Sequence, residues 1–244
     1  MKKTQMLVML VFLLMSTAVS GQNKVKAYFT TAEMPDMLKF APTPPDSTSS
    51  QFQYDLMRYE WGKTQRQDSV RAAIAIRDAV YGLKTIITEF SEPFGLQISE
   101  EDTPKIYHLL SVALASTDSI CTIPKRHYMR MRPFLKMKEP TLTPWDEASL
   151  SRNGSFPSGH TILGWSAALL LSEINPQRAD TLLARGLMYG ESRVIVGAHW
   201  QSDVDAGVLA ASVAYGKLHT SKRFQKDMKR ARKEFRRIMR KRER

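Results

Sequence analysis

The chain has 244 residues, 43% of them apolar and 25% charged, which permits a sizeable core and excludes a largely disordered or collagen-like polymer. Its formal charge of +12 sits at one end: Lys217 to Arg244 holds 14 Lys or Arg against 3 Asp or Glu, a net of +11, leaving +1 for the other 216 residues. Basicity confined to a tail is no signature of a protein that reads DNA or RNA, so no specific nucleic-acid partner is expected.

In chain order, the first element is an export signal over residues 1–20. Lys2 and Lys3 precede an apolar run from Met6 to Met15, and Ala18 and Ser20 suit signal peptidase, with cleavage expected after Ser20. The run is shorter than the roughly 20 residues that span a bilayer. The single cysteine, Cys121, is far from the cut, which removes both a lipoprotein anchor and an intramolecular disulfide. The expected location is outside the cytoplasm, in the periplasm.

Residues 21–50 form a lead-in with Pro35, Pro42, Pro44 and Pro45; it has neither hydrophobic period and is expected to be extended, without regular structure. A helical domain over 51–219 follows. Val70, Ile74, Leu83 and Ile87 recur near a helical period, predicting two helices or one broken one between Phe52 and Phe90. Thr103-Pro104 is a cap and first-turn pair opening a helix through Leu114. Asn175-Pro176 separates an apolar helix, Thr161 to Ile174, from one running to about Gly190, and a last helix covers Trp200 to Leu218. No alternating strand or glycine-rich phosphate loop is evident, so the fold class is all-α, a single-domain helical bundle. After the signal no 18-residue apolar span is found, which disfavours an enzyme embedded in the membrane.

Residues 220–244 read as a basic amphipathic tail. Phe224, Met228, Ala231, Phe235 and Ile238 recur at spacings of 4 and 3 with Lys and Arg between them. Such a helix either docks by its apolar edge or frays as a solvated end, the first reading, or it adheres to an anionic membrane surface or other polyanion, the second. On the second reading, removal of Ser221 to Arg244 leaves turnover nearly unchanged.

Three short segments concentrate cationic and imidazole groups: Lys125 to Arg132-Pro133, Phe156 to His160, and Ser192-Arg193 through His199 to Asp203. Each alone has an ordinary reading as a solvated face, a turn or a helical side-chain pair. Together they suit a phosphate monoester. Lys125, Arg132 and Arg193 neutralise its charge, Ser158 offers a hydroxyl, and Gly159 allows close backbone approach at a helix start. His199 is the candidate nucleophile, Asp203 four residues on orients its ring, and His160 is the candidate general acid. No cluster of Asp, Glu or His stands at metal-ligand spacing, so neither metal nor cofactor is expected.

These segments match K-x6-R-P, P-S-G-H and S-R-x5-H-x3-D without departure, and the chain resembles the superfamily of type 2 phosphatidic acid phosphatases and vanadium haloperoxidases. Within it, Tyr128 to Phe134, Ser155 to Thr161 and Ser192 to Ala206 are similar to the bacterial class A non-specific acid phosphatases, a resemblance that spans most of the mature chain. It implies phosphorylation of His199, orientation by Asp203, and acid then base chemistry at His160. Phosphoryl oxygens would be held by Lys125, Arg132, Ser158, Gly159 and Arg193. It further implies an all-helical homo-oligomer, broad phosphomonoester substrates, no required metal, and some transfer of phosphate to alcohols. The alternatives are a vanadate-dependent haloperoxidase, since the same cradle holds vanadate, a lipid-headgroup phosphatase, or a phosphate-binding protein. His108, His127 and His219 match no catalytic position. Tyr128, Trp165 and Trp200 are read either as pocket walls or as packing, and Cys121 as a structural thiol.

Overall fold

Caps, prolines and glycines cut the helical periodicity into its elements. In the computed structural model, which describes residues 26–244, all regular structure among those residues is helical. The signal segment expected at 1–20 lies outside the described residues.

The lead-in departs from the expectation of no regular structure. Met37–Phe40 (α1) makes one helical turn, capped by Asp36, whose side chain accepts from the Leu38 amide at 3.1 Å. No proline interrupts 36–41, and Met34 and Met37 are buried against Ile120, Ile162 and Ala210. Burial of flexible thioethers outweighs the breaking effect of the flanking prolines.

Between Phe52 and Phe90, where the periodicity predicts two helices or one broken one, there are three: α2 (Ser50–Gln65), α3 (Ser69–Asp78) and α4 (Leu83–Phe94). Asp68 caps α3 by accepting from the amides of Val70 and Arg71. Gly82, at φ 127°, makes the turn into α4, a conformation that side chains with a Cβ rarely adopt.

Helix α5 (Pro104–Asp118) buries Ile106, Leu109, Leu110, Val112, Ala113 and Leu114 in the main core. Pro104 holds its first position, but the Thr103 hydroxyl bonds Ser99 rather than capping the helix. The free amides of Lys105 and Ile106 instead donate to Glu234 Oε2 at 2.9 and 3.0 Å, a cap delivered from the far end of the chain.

The helical run Pro104–Met137 corrects the expectation that no apolar span of 18 residues follows the signal: one window has a mean hydropathy of 1.3 and passes for a membrane span by length and composition. Its apolar part is α5, which packs against α9 (Gly159–Ile174), α11 (Gln201–Leu218) and α12 (Lys222–Arg242). A helix surrounded by others is apolar on most faces, as a membrane span is.

The remaining helices are α6 (Thr122–Tyr128), α7 (Pro133–Met137), α8 (Pro144–Leu150) and α10 (Ala179–Ile195). Helix α9 is central and lies against α10 and α11. A Cβ at Gly164 would stand 2.5 Å from the Tyr189 ring, and one at Gly207 would stand 2.8 Å from Thr161 Cβ and 2.9 Å from the Ser158 carbonyl. Glycine at those two places lets α10 and α11 close onto α9, which brings three helix ends to one place.

The C-terminal basic segment is α12, and its apolar edge is in the core. Phe224, Met228, Ala231 and Phe235 are buried in the main cluster, with Ile238 packed against it. Lys226, Lys229, Lys233, Arg236, Arg237 and Arg240 are exposed on the other side.

Candidate active site

The three motif segments fall at helix ends, where backbone groups are free and side chains converge. Lys125 is on α6 and Arg132 caps α7, while Ser158 caps α9 and Gly159 and His160 open it. Arg193 is in the last turn of α10, and Asp203 is in the first turn of α11. His199 lies in the connection between those two helices, its amide bonded to the Arg193 carbonyl at 3.2 Å. All seven side chains are buried. Lys125, Arg132, Gly159, His160 and His199 line a cavity of about 570 Å³.

His199 has both ring nitrogens engaged. Nδ1 is 3.3 Å from Asp203 Oδ2, and Nε2 is 3.0 Å from Arg132 Nη1. A guanidinium only donates, so Nε2 carries the lone pair and Nδ1 the proton. Asp203 is itself held: Oδ2 also accepts from the Trp200 amide at 2.9 Å and Oδ1 from Arg130 Nη1 at 2.5 Å. Burial first, then the charges of Arg132, Lys125 and Arg193, push His199 well below the ordinary imidazole value, which keeps it neutral and nucleophilic.

His160 bonds the Ala79 carbonyl through Nε2 at 3.0 Å. A carbonyl only accepts, so Nε2 carries a proton and Nδ1 is left for proton exchange. Burial, then Arg193 and His199, also hold this ring well below its usual value.

Arg193 is the exceptional group. It has no solvent exposure, and among the described residues none of its three guanidinium nitrogens has a hydrogen-bond partner. A buried, unpaired cation costs several kcal/mol, about 3–5 by the usual figures, unless an anion joins it. Arg132 and Lys125 are already braced by carbonyls, Arg132 on Leu150, Asn153 and Ala198, and Lys125 Nζ on Gly154 at 2.9 Å. Burial pushes both arginines down to about 10 and Lys125, with help from Arg132, to about 8. The cradle is thus a set of desolvated cations beside a helix N-terminus, an arrangement complementary to a phosphoryl group.

Several contributors escape sequence reasoning. Arg130 bridges Asp203 and Asp55 of α2, and Asp55 accepts from the amide and hydroxyl of Ser202. Arg130 stands in the string Tyr128 to Phe134, but only Arg132 is singled out there; nothing local marks Asp55 or the Ala79 carbonyl. Tyr81 and Asp118 also line the cavity.

The aromatic residues offered as pocket walls pack instead. Trp200 is buried with Phe52 and Tyr59, Trp165 bonds Ser212, and Tyr128 meets the Phe156 ring edge-on. Cys121 does reach the cavity wall, but burial pushes its thiol up to about 12 and Sγ donates to the Asp118 carbonyl. His108 pairs with Asp227, His219 with Glu173, and the His127 ring meets Tyr128 edge-on.

This fold and cradle define a helical phosphate-site protein of the PAP2 superfamily, whose description matches residues 106–225. The chain is 42% identical over 209 residues to the non-specific acid phosphatase of Providencia stuartii, covering 85% of this chain and 84% of that one. It is 37% identical over 234 residues to the non-specific acid phosphatase of Salmonella typhimurium, with 96% and 93% covered. An acid phosphatase of Zymomonas mobilis matches at 36% over 200 residues, 82% and 75% of the two chains. The chain belongs to the bacterial class A non-specific acid phosphatases.

Proposed function

We propose that the chain is an acid phosphatase that hydrolyses phosphate monoesters of broad range through a phosphohistidine on His199. The observation that carries this reading is Arg193, a fully buried guanidinium whose three nitrogens have no hydrogen-bond partner among the described residues. An incoming phosphoryl group satisfies it and takes over Arg132 Nη1 from His199 Nε2, which frees the lone pair for in-line attack on phosphorus.

The charge of the bound phosphate ester favours the imidazolium form of His160, which then carries a second proton on Nδ1. In the first step the Nε2–P bond forms as the ester P–O bond breaks, and the leaving oxygen takes that Nδ1 proton. Lys125, Arg132, Arg193, the Ser158 hydroxyl and the Gly159 amide hold the three equatorial oxygens. In the second step water attacks phosphorus, its proton passes to His160, and the N–P electron pair returns to the imidazole. Two in-line displacements retain configuration. An alcohol in place of water gives phosphate transfer by the same path.

The reading is tested by turnover of nitrophenyl phosphate with trapping of acid-labile phosphate on the protein. Lys125, Arg132 and Arg193 bring three cations to the cradle, so activity is expected to survive exhaustive chelation, and vanadate is expected to inhibit. Loss on chelation with restoration by a divalent ion overturns the reading; bromide oxidation with vanadate and peroxide, without ester hydrolysis, replaces it with haloperoxidase.

Export to the periplasm rests on the pattern Lys2 to Ser20, and assembly as a homo-oligomer on the family resemblance. Adhesion to an anionic membrane rests on the exposed Lys and Arg face of α12. With the apolar edge of that helix in the core, such adhesion is electrostatic and salt-sensitive rather than insertive.

A further inference from the structure

We propose that Asp118 and Tyr81 form the subsite for the leaving alcohol, where Asp118 accepts a hydrogen bond from a hydroxyl of that alcohol and favours phosphate esters of polyols and sugars. The inference rests on the phosphatase reading above and names the substrate class of the same site.

Both residues line the cavity that holds His160 and His199. A Cβ at Gly159 would stand 3.4 Å from the Tyr81 hydroxyl and 3.6 Å from Asp118 Oδ1. The Tyr81 ring meets the His160 imidazole edge-on with centroids 4.8 Å apart. The pair therefore adjoins the group that protonates the leaving oxygen, rather than the nucleophile.

Tyr81 donates its hydroxyl to Asp118 Oδ1, which fixes the carboxylate. Among the described residues no donor reaches Oδ2. A carboxylate is acceptor-only and asks for an O–H or N–H donor from the bound molecule. Lys125, Arg126 and Arg152 share the cavity wall and repel an ammonium group, which leaves a hydroxyl as the fitting donor. Asp146 stands in the same cavity on α8, a different element, and serves as the control. Half of the Tyr81 surface is exposed, 51%, and its ring offers an apolar face to the C–H groups of a sugar or polyol. An ester without a hydroxyl leaves Asp118 partly desolvated and unpaired, so the site discriminates against it.

The test compares kcat/KM for glycerol 1-phosphate and n-propyl phosphate, two esters of equal chain length that differ in hydroxyl groups. Wild type is expected to prefer glycerol 1-phosphate. Asp118→Asn, which turns the free acceptor into a competing donor, is expected to lower that preference about tenfold. Asp146→Asn is expected to leave the preference in place. Tyr81→Phe shifts it the same way as Asp118→Asn by a smaller factor, and keeps the proposal testable if the aspartate variant does not fold. Equal losses on both esters, or an unchanged preference in the Asp118 and Tyr81 variants, overturn the subsite while leaving the phosphatase reading intact. Failure of wild type on both esters and on nitrophenyl phosphate overturns the phosphatase reading and the subsite with it.

Discussion

Arg130 and Asp203 meet at 2.5 Å through Nη1 and Oδ1, and the second guanidinium nitrogen of Arg130 lies 2.7 Å from Asp55 Oδ2. His199, the proposed nucleophile, is therefore oriented by a chain of three charged groups, Asp203, Arg130 and Asp55, rather than by one carboxylate. Removal of Arg130 leaves two fully buried carboxylates facing each other without a cation. Arg130→Met is expected to cost about 3–5 kcal/mol of stability and to lower kcat as the ring loses its aim. Arg130→Lys restores charge but not the fork, and recovers stability more than kcat. Denaturant melts and steady-state rates distinguish the two effects.

His199→Ala is expected to remove hydrolysis almost completely, since among the described residues no other side chain places a nitrogen lone pair beside Arg132. Acid-labile phosphate is expected on wild type and not on the variant. Phosphate persisting on the variant moves the nucleophile elsewhere.

His160→Ala is expected to harm alkyl phosphates more than nitrophenyl phosphate, by about 10²-fold or more on the alkyl ester, because an alkoxide needs the proton that a nitrophenoxide does without. Parallel losses on the two esters in the phosphorylation step reassign the acid.

The two histidines also set a pH dependence of stability. Burial and neighbouring cations hold both well below 6.5 in the folded protein. As pH falls below about 6.5 the unfolded chain takes up protons that the folded one refuses, so stability drops, by up to about 1.4 kcal/mol per pH unit for each histidine. Bound phosphate opposes this, since its charge favours the imidazolium forms. Thermal melts should show Tm falling on acidification, with a shallower fall in phosphate and in His160→Asn. At the other end, Lys125 sits at about 8, so inhibition by inorganic phosphate is expected to weaken as pH rises through that value.

Helix α12 is expected to behave as core on one face and as solvated surface on the other. Phe224→Ala should cost about 3–5 kcal/mol, and Glu234→Ala about 1–2 through the lost cap on α5. Deleting Ser221 to Arg244 removes Phe224, Met228 and Phe235 from the main core and uncovers the apolar residues they pack with, among them Ile106, Leu109 and Leu110, and should unfold the protein rather than leave turnover unchanged. Replacing Lys226, Lys229 and Lys233 by Gln should alter stability by no more than about 0.5 kcal/mol each while weakening salt-sensitive binding to anionic liposomes. Equal binding by that variant removes the membrane reading.

Local pattern alone determined the helical class and the starts of α5, α9 and α11 to within two residues, and it singled out the eight residues proposed for the cradle. Period 3.6 and Pro-capped starts are properties of a few neighbouring residues, and Asp203 lies only four residues after His199, in the first turn of the helix that His199 precedes. What tertiary structure decided is how those groups are held. Asp55, 147 residues before Ser202, reaches the site only because α2 packs beside α11, and the Ala79 carbonyl that sets the His160 tautomer is a backbone atom no motif marks. The same holds for Glu234, whose cap on α5 is built across 129 residues, and for the basic tail, whose charge conceals a buried edge. Hydrogen bonds and apolar burial act between surfaces that meet only when the chain closes, so their partners carry no signal at any fixed spacing in the sequence.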